Sequence, residues 1–420
     1  MTASIVNGRR RQAAVGFILV TALIDVLSFG VLIPVLPHLI EHFTGGDTAR
    51  AARLYGLIGT VWALMQFLCS PLLGALSDRL GRRPVILISC FGLGIDFIVM
   101  ALAPTLWWLL IGRIVSGITA ASFSTANAYI ADVTPPEKRA AAFGMVGAAW
   151  GLGFVIGPAL GGFLAGIAPR LPFWFSAGLA LSNALYGLLL LPESLPRERR
   201  AAFSWRKANP VGSIGLLRAH PGLLRLAIVY LLYWLAHYVL PSVCVLYTGY
   251  RYGWGPQTMG YVLAATGFCG IIVQALLVKR VVSRIGEARS ATLGLLFGIA
   301  GYLGFGLAPH GWLFWCAVPV FALLGLFPPA LQAMMSRSVS SSEQGRLQGA
   351  NSSLMGISGI IGPGLYTQIF ALFIEPDHRW TLPGAPFIVA AALAAIALLL
   401  TRGRRQPDRP VAVSLAADAS

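Results

Sequence analysis

Charge is what this sequence has least of. Of its 420 residues only 11% are Asp, Glu, Lys or Arg, against 57% that are hydrophobic. Soluble domains carry about a quarter charged residues, so this chain could not wrap itself in a polar surface. Histidine (6) and cysteine (5) are scarce as well. Cys69, Cys90, Cys244, Cys269 and Cys316 stand singly in or beside apolar stretches, with no CxxC or paired spacing. That excludes a disulfide framework or thiolate metal site as a reading, and each cysteine reads as a small packing residue. A Walker-type phosphate loop, a metal-ligand cluster and a nucleophile–base constellation are also missing. Neither ATP-driven transport nor enzymatic chemistry has residues to rest on. The expectation is a protein that is not an enzyme and holds no permanent cofactor and no metal.

What the chain has instead is apolar blocks of roughly 18–25 residues, each long enough to cross a hydrocarbon core as a helix. Twelve candidate spans lie near 14–37, 54–76, 84–104, 106–130, 140–166, 171–191, 222–247, 257–281, 290–308, 312–335, 346–374 and 384–401. The first apolar run is too long for a signal peptide and lacks a cleavage site after it. The fold class expected is an all-α membrane protein of twelve transmembrane helices, embedded in the lipid bilayer.

The formal charge of +16 is a topological signal. Of 31 Lys and Arg residues, 25 fall on one side of the spans, in the N-terminus, the even-to-odd loops, the long central segment and the C-terminus. Only Arg50, Arg53, Arg170, Arg251 and Arg379 fall on the other, and Arg113 lies inside span 4. Such an imbalance places both termini in the cytoplasm, with the protein in the inner (plasma) membrane as a multi-pass protein. The basic residues therefore report topology and anionic lipid rather than nucleic acid, which is not expected as a partner.

Residues 192–221 break the apolar pattern with Pro, Ser and Arg and read as a cytoplasmic linker, with a short amphipathic helix expected on the membrane surface. The domains expected are a six-helix half over 1–191, the linker 192–221, a six-helix half over 222–401 and a disordered cytoplasmic tail over 402–420. The halves repeat at an offset of 205 residues. Arg79 and Gly81 map onto Arg284 and Gly286, and Gly144, Gly157 and Pro158 onto Gly349, Gly362 and Pro363. Two pseudo-symmetric halves with a substrate path between them is the architecture implied. The charges do not repeat: Asp25, Asp78, Asp96 and Arg113 map onto Tyr230, Ser283, Gly301 and Val318. Coupling to protons is therefore expected in the first half.

Three segments carry the chemistry. GALSDRLGRRP (74–84), after span 2, offers Gly74 and Gly81 for packing and a turn, Asp78 as an acceptor, and Arg79, Arg82 and Arg83. Its pattern resembles the signature loop of the major facilitator superfamily, which implies a gating role. WGLGFVIGPALGG (150–162) sets Gly153, Gly157, Pro158, Gly161 and Gly162 in span 5, a small face for close packing with a kink. It resembles the antiporter motif of drug-exporting members. GRIVSGITAAS (112–122) buries Arg113, which at membrane depth needs a carboxylate, carbonyls or water; it resembles a basic motif that assists proton transfer.

With Asp25 and the trailing IPVLP, Ala63–Gln66, Asp96, IAD (130–132), YGWGPQTMGY, PALQAMMS and EQGRLQG, the sequence resembles the tetracycline efflux antiporters along almost its whole length. The resemblance implies a drug:proton antiporter in which Asp25 and Asp96 handle substrate and proton, Arg113 assists, and the proton is the coupling ion. The small-molecule drug would be tetracycline, with Mg2+ carried as part of its chelate, and a monomer is expected. Gln66, Asn127, His237 and Gln274 are the polar candidates for the cavity wall, since a polar group at depth wants a partner or water. The chain departs from the best-known branch, which has a histidine in span 8 and an aspartate in span 9; here the matching positions are Gly270 and Gly298. Export of another amphipathic drug or metabolite, and proton-linked uptake, stay open as alternatives.

Overall fold

The computed structural model describes residues 2–201, 203, 209–210, 212–219, 221–340, 343–375 and 381–402. The tail from residue 403 onward, Arg379 and several linker positions lie outside the described residues. Within them the chain is helical, with eleven helices long and apolar enough to cross a membrane and a shorter apolar helix as the twelfth. Spans 1 to 6 are Gly16–Phe43, Thr48–Leu80, Arg82–Leu102, Leu106–Val133, Ala141–Ile167 and Leu171–Leu190. Spans 7 to 11 are Gly222–Tyr252, Pro256–Ile285, Glu287–Leu307, Gly311–Ser336 and Gln344–Ile374, and span 12 is Ala385–Thr401.

Several helices, among them spans 1, 2, 7 and 8, run a few residues past the limits expected from hydropathy. Thr48–Leu80 is 33 residues long, about 50 Å at 1.5 Å per residue, against a hydrocarbon core of about 30 Å. Its ends carry Arg50, Arg53, Asp78 and Arg79, which stop an apolar pattern but do not stop a helix. Span 2 starts cleanly because Asp47 accepts from the Arg50 amide at 2.9 Å, satisfying an otherwise orphaned donor.

The 205-residue repeat extends to irregularities. Gly81 ends span 2 at φ 112° and Gly286 ends span 8 at φ 80°, each donating its amide to a carbonyl four residues back, Ser77 and Val282. Only glycine takes this backbone cheaply. Span 1 is interrupted between Leu32 and Leu36, at Pro34, and span 7 at Tyr238, the offset position of Ile33. Span 4 breaks between Thr119 and Ser122, and span 10 passes through a 3-10 turn at Leu323–Leu326. Span 2 holds Pro71 where span 8 widens into a π-helical turn at Val273–Leu277. Broken helices at matching places are the hallmark of transporter repeats, because freed backbone groups can line a cavity.

The two halves meet along two seams, span 2 against span 11 and span 5 against span 8. Contacts concentrate at one end. There a Cβ on Gly56 would lie 1.9 Å from Thr367, one on Gly162 2.5 Å from the Pro256 carbonyl, and one on Gly260 2.5 Å from the Pro158 carbonyl. At the other end, which bears the 2–3 loop and the linker, Gly74, Gly144, Gly147, Gly270 and Gly345 have nothing within 4 Å of such a Cβ. By these contacts the halves are sealed against each other at the end opposite the linker, while the glycines named at the linker end meet no such neighbour.

Among the described residues the linker has an exposed 3-10 turn at Arg197–Arg199 and two short helical pieces further on. Its short helical pieces, Gly212–Ile214 and Gly215–Ala219, pack against spans 11 and 7. Leu216 and Leu217 are buried in the main hydrophobic core, where burial of two leucines outweighs what a water–lipid boundary offers.

Candidate coupling and transport site

Asp96 and Arg113 form a buried ion pair between spans 3 and 4, with side chains 0% and 5% exposed. Gly112 makes it possible, since a Cβ at 112 would sit 2.6 Å from Asp96 Oδ1. Burying either charge alone would be prohibitive, and pairing is what lets both persist at membrane depth. The pair is not saturated: Arg113 Nε has no hydrogen-bond partner. Asp25 lies elsewhere, half-buried on span 1. It shares a helical face with Thr21 and Ser28, which meet span 6 through Thr21 Oγ1 donating to Asn183 at 3.1 Å and Ser176 donating to the Ser28 carbonyl at 3.4 Å. Asp25 is also within electrostatic range of Cys90 on span 3. Of the three charged residues expected to act together, Asp96 and Arg113 are joined as an ion pair, and Asp25 stands on the face of span 1 that meets span 6 and Cys90 of span 3.

The loop at 74–84 is held by a network around Arg82, which donates to Asp78 at 2.6 Å, to Ser77 Oγ at 3.1 Å and to Asp132 at 3.1 Å. Arg83 donates to the Leu188 carbonyl at 2.5 Å, while Arg79 is exposed. Glu193, just past span 6, accepts from the amides of Arg82 (2.8 Å), Arg83 (3.2 Å) and Leu195 (3.0 Å). It thereby caps the start of span 3, where an anion is favoured. The linker continues the clasp, with the Ala201 amide donating to the Asp78 carbonyl at 3.1 Å. Among the described residues these contacts stay within the first half and the linker. Gly74, Ser77, Asp78 and Arg82 also border a cavity of about 200 Å³ with Ser124, Thr125 and Ala128.

The antiporter-motif residues serve two neighbours at once. Gly153, Gly157 and Gly161 approach span 1 at Val26–Leu27, Gly30 and Val31, while Pro158 and Gly162 approach span 8 at Gly260 and Pro256. The small face is therefore both an internal joint and a seam.

The cavity candidates do not converge on one point. Gln66 is half-buried on span 2 beside Gly117 of span 4, and Asn127 is half-buried further along span 4. Gln274 is exposed on the π-helical turn of span 8 and donates to the Gly325 carbonyl of span 10 at 3.3 Å. His237 is stacked between Tyr233 and Phe321 with centroids 5.7 and 6.0 Å away, and its Nδ1 has no hydrogen-bond partner. It belongs to the interior of the second half. The two glycines at departing positions differ: Gly270 faces open space, whereas the place of a side chain at 298 is taken by Leu324, 2.7 Å from a Cβ. An acid at 298 would require the Leu324 side chain of span 10 to shift.

Sequence reasoning passed over Glu193, Arg53, Glu375 and Tyr55. Arg53 pairs with Glu375 across the sealed end. Tyr55 O–H donates to the Pro241 carbonyl of span 7 at 2.8 Å, and Thr60 donates to the Ile360 carbonyl of span 11 at 3.1 Å. None carries a local signal, because the partners they meet on other spans are at least 110 residues away.

Among the described residues no cluster of His, Cys, Asp and Glu could hold a metal ion. Residues 18–363 match the family model described as Major Facilitator Superfamily. The chain is 39% identical to a protein of Escherichia coli named tetracycline resistance protein, class C, over 92% of this chain and 96% of that one. It is 36% identical to the class G protein of Vibrio anguillarum, over 96% of this chain and 99% of that one. Among solved structures, the human organic anion transporter MFSD10 superposes with a TM-score of 0.69 at 24% identity, covering 93% of this chain and 99% of that one.

Proposed function

Since the chain belongs to the major facilitator superfamily, we propose that it is a proton-coupled antiporter that exports a drug, tetracycline as its metal chelate, by alternating access. The observation that carries the coupling is the Asp96–Arg113 pair, a charge at membrane depth with no counterpart in the second half. The open linker end is then the cytoplasmic one, as the basic residues demand, and the structure is the state that receives drug from inside. The chain acts as a membrane-embedded transporter and not as an enzyme, in the inner membrane with both termini inside, and as a monomer.

In this reading Asp25 and Asp96 take protons from the outer side when the sealed end opens. Protonation of Asp96 removes the partner that compensates Arg113. Proton binding and the geometry of spans 3 and 4 are thereby linked. Asp25, half-buried on span 1, is the more accessible carboxylate in the inward-open state and the one on which a cationic chelate competes with a proton. Each charge moving inward contributes about 2.3 kcal/mol per 100 mV of membrane potential.

A susceptible host expressing the chain should gain tetracycline resistance, and everted vesicles should accumulate the drug when a proton gradient is imposed. Asp25→Asn and Asp96→Asn should insert at wild-type levels and lose that gradient-driven accumulation, by about a hundredfold. Wild-type pumping by Asp96→Asn would sink the coupling scheme. Gly270 and Gly298, which bring no ionisable group from the second half, favour one other reading, export of a different amphipathic substrate. A well-inserted wild type that protects against other drugs but not tetracycline would select it.

A further inference from the structure

Among the described residues three polar contacts cross between the halves at the sealed end, and all three start from span 2: Arg53 to Glu375, Tyr55 to Pro241, and Thr60 to Ile360. Tyr55 differs from the other two in what stands behind it. Spans 2 and 4 run in the same direction and pack together, with Trp62 Nε1 donating to Ser116 at 3.3 Å. Arg113 lies about one turn toward the sealed end from Ser116. Its side chain leans further that way, as helical side chains lean toward their N-terminus. This brings the guanidinium within electrostatic range of the Tyr55 phenol. Tyr55 therefore has the buried ion pair on one side and a second-half carbonyl on the other.

We propose that Tyr55 is a positioning residue that ties the charge state of the Asp96–Arg113 pair to the sealing of the outer end. The proposal rests on the proton-coupled reading given above. A phenol can donate one hydrogen bond and accept another. Its proton is committed to Pro241 O, which leaves its lone pairs for a donor. When Asp96 takes up a proton, the guanidinium loses its counter-charge while its Nε already lacks an acceptor. The phenol oxygen is then the compensating acceptor. Accepting from a cation polarises the O–H and strengthens the bond it donates. The proton-loaded carrier is thereby held closed outside and open inside, the state from which it must release its proton to the cytoplasm.

The groups around Asp96 leave few rivals for this role. Span 4 brings Arg113 and Gly112, and span 2 brings Tyr55. Span 6 faces the same helix with Leu181, and its one titratable residue, Tyr186, stacks on Phe17 at 4.7 Å. Asp25 interacts with Cys90, about two turns away along span 3.

The test is Tyr55→Phe, which removes one oxygen and keeps the ring. Exchange of labelled for unlabelled tetracycline in proteoliposomes without a gradient needs no proton-loaded return. It should stay within about twofold of wild type. Gradient-driven uptake needs that return and should fall about tenfold, with its stimulation by acid pH lost. Equal losses in both assays, or no loss in either, would overturn the proposal. A second measurement needs no drug: spin labels at Arg50→Cys and Tyr250→Cys, in a background without the five native cysteines, report the span across the sealed end. Acidification should shorten that distance in the otherwise native chain and leave it unchanged in the Tyr55→Phe variant. A distance that ignores pH in the otherwise native chain refutes the Tyr55 link, whereas wild-type pumping by Asp96→Asn refutes the coupling scheme beneath it.

Discussion

The two seams that join the halves are built on opposite principles. Along spans 5 and 8 the contact is steric: Gly162 and Gly260 bring backbones so close that a Cβ on either would lie 2.5 Å from a carbonyl of the other helix. Along span 2, where it meets span 11 and the neighbouring span 7, it is also polar, with an ion pair and hydroxyls reaching backbone carbonyls. Close backbone packing is short-ranged and insensitive to charge, which suits a surface on which the halves rock. Hydrogen bonds and ion pairs can be made or lost with a proton, which suits a seam that responds to coupling. The lesson is that pseudo-symmetry of fold does not carry over to the chemistry of the joints.

The comparison can be broken most severely at Gly260. Gly260→Val would overpack the steric seam at a cost of about 1–3 kcal/mol, which moves an open–closed equilibrium by roughly 5- to 150-fold. Cross-linking yield across the sealed end should fall by that order, whatever the pH. A smaller effect is expected on the polar seam from Thr60→Val, which removes a neutral hydrogen bond worth about 0.5–1.5 kcal/mol. It should lower gradient-driven uptake a few-fold, with little change in expression on quantitative blotting. The smallest effect belongs to Arg53→Gln. Its side chain is 43% exposed and that of Glu375 33%, and such pairs contribute about 0.2–1 kcal/mol. Rates measured at low and high salt should converge for this variant, since screening already weakens the native pair. A Gly260→Val effect that vanished in acid, or an Arg53→Gln effect larger than that of Thr60→Val, would erase the distinction between the seams.

Much of the first half was legible because its signals are local. Asp96 and Arg113 stand out as charges in apolar helices, and the Gly-rich run at 153–162 marks a packing face whatever it packs on. Asp25 was equally visible as a residue, yet its place on the face of span 1 that meets span 6 and Cys90 was not. Glu193 reads in sequence as one more linker charge; its role as the cap of span 3 exists only because span 6 returns beside that helix. At the end of the linker Leu216 and Leu217 find core to occupy, a packing that their spacing in the sequence did not announce.

The sequence by itself determined the membrane, the twelve spans, the 205-residue repeat and the family, because partition into lipid and helix periodicity depend on residues close together in the chain. The tertiary structure alone decided that Asp96 meets Arg113, that the loop at 74–84 is clasped by Glu193, which end is sealed, and that Tyr55 reaches the opposite half at Pro241. Each of these is a contact between helices, fixed by side-chain packing to within a few ångströms, and no periodicity encodes which faces will touch.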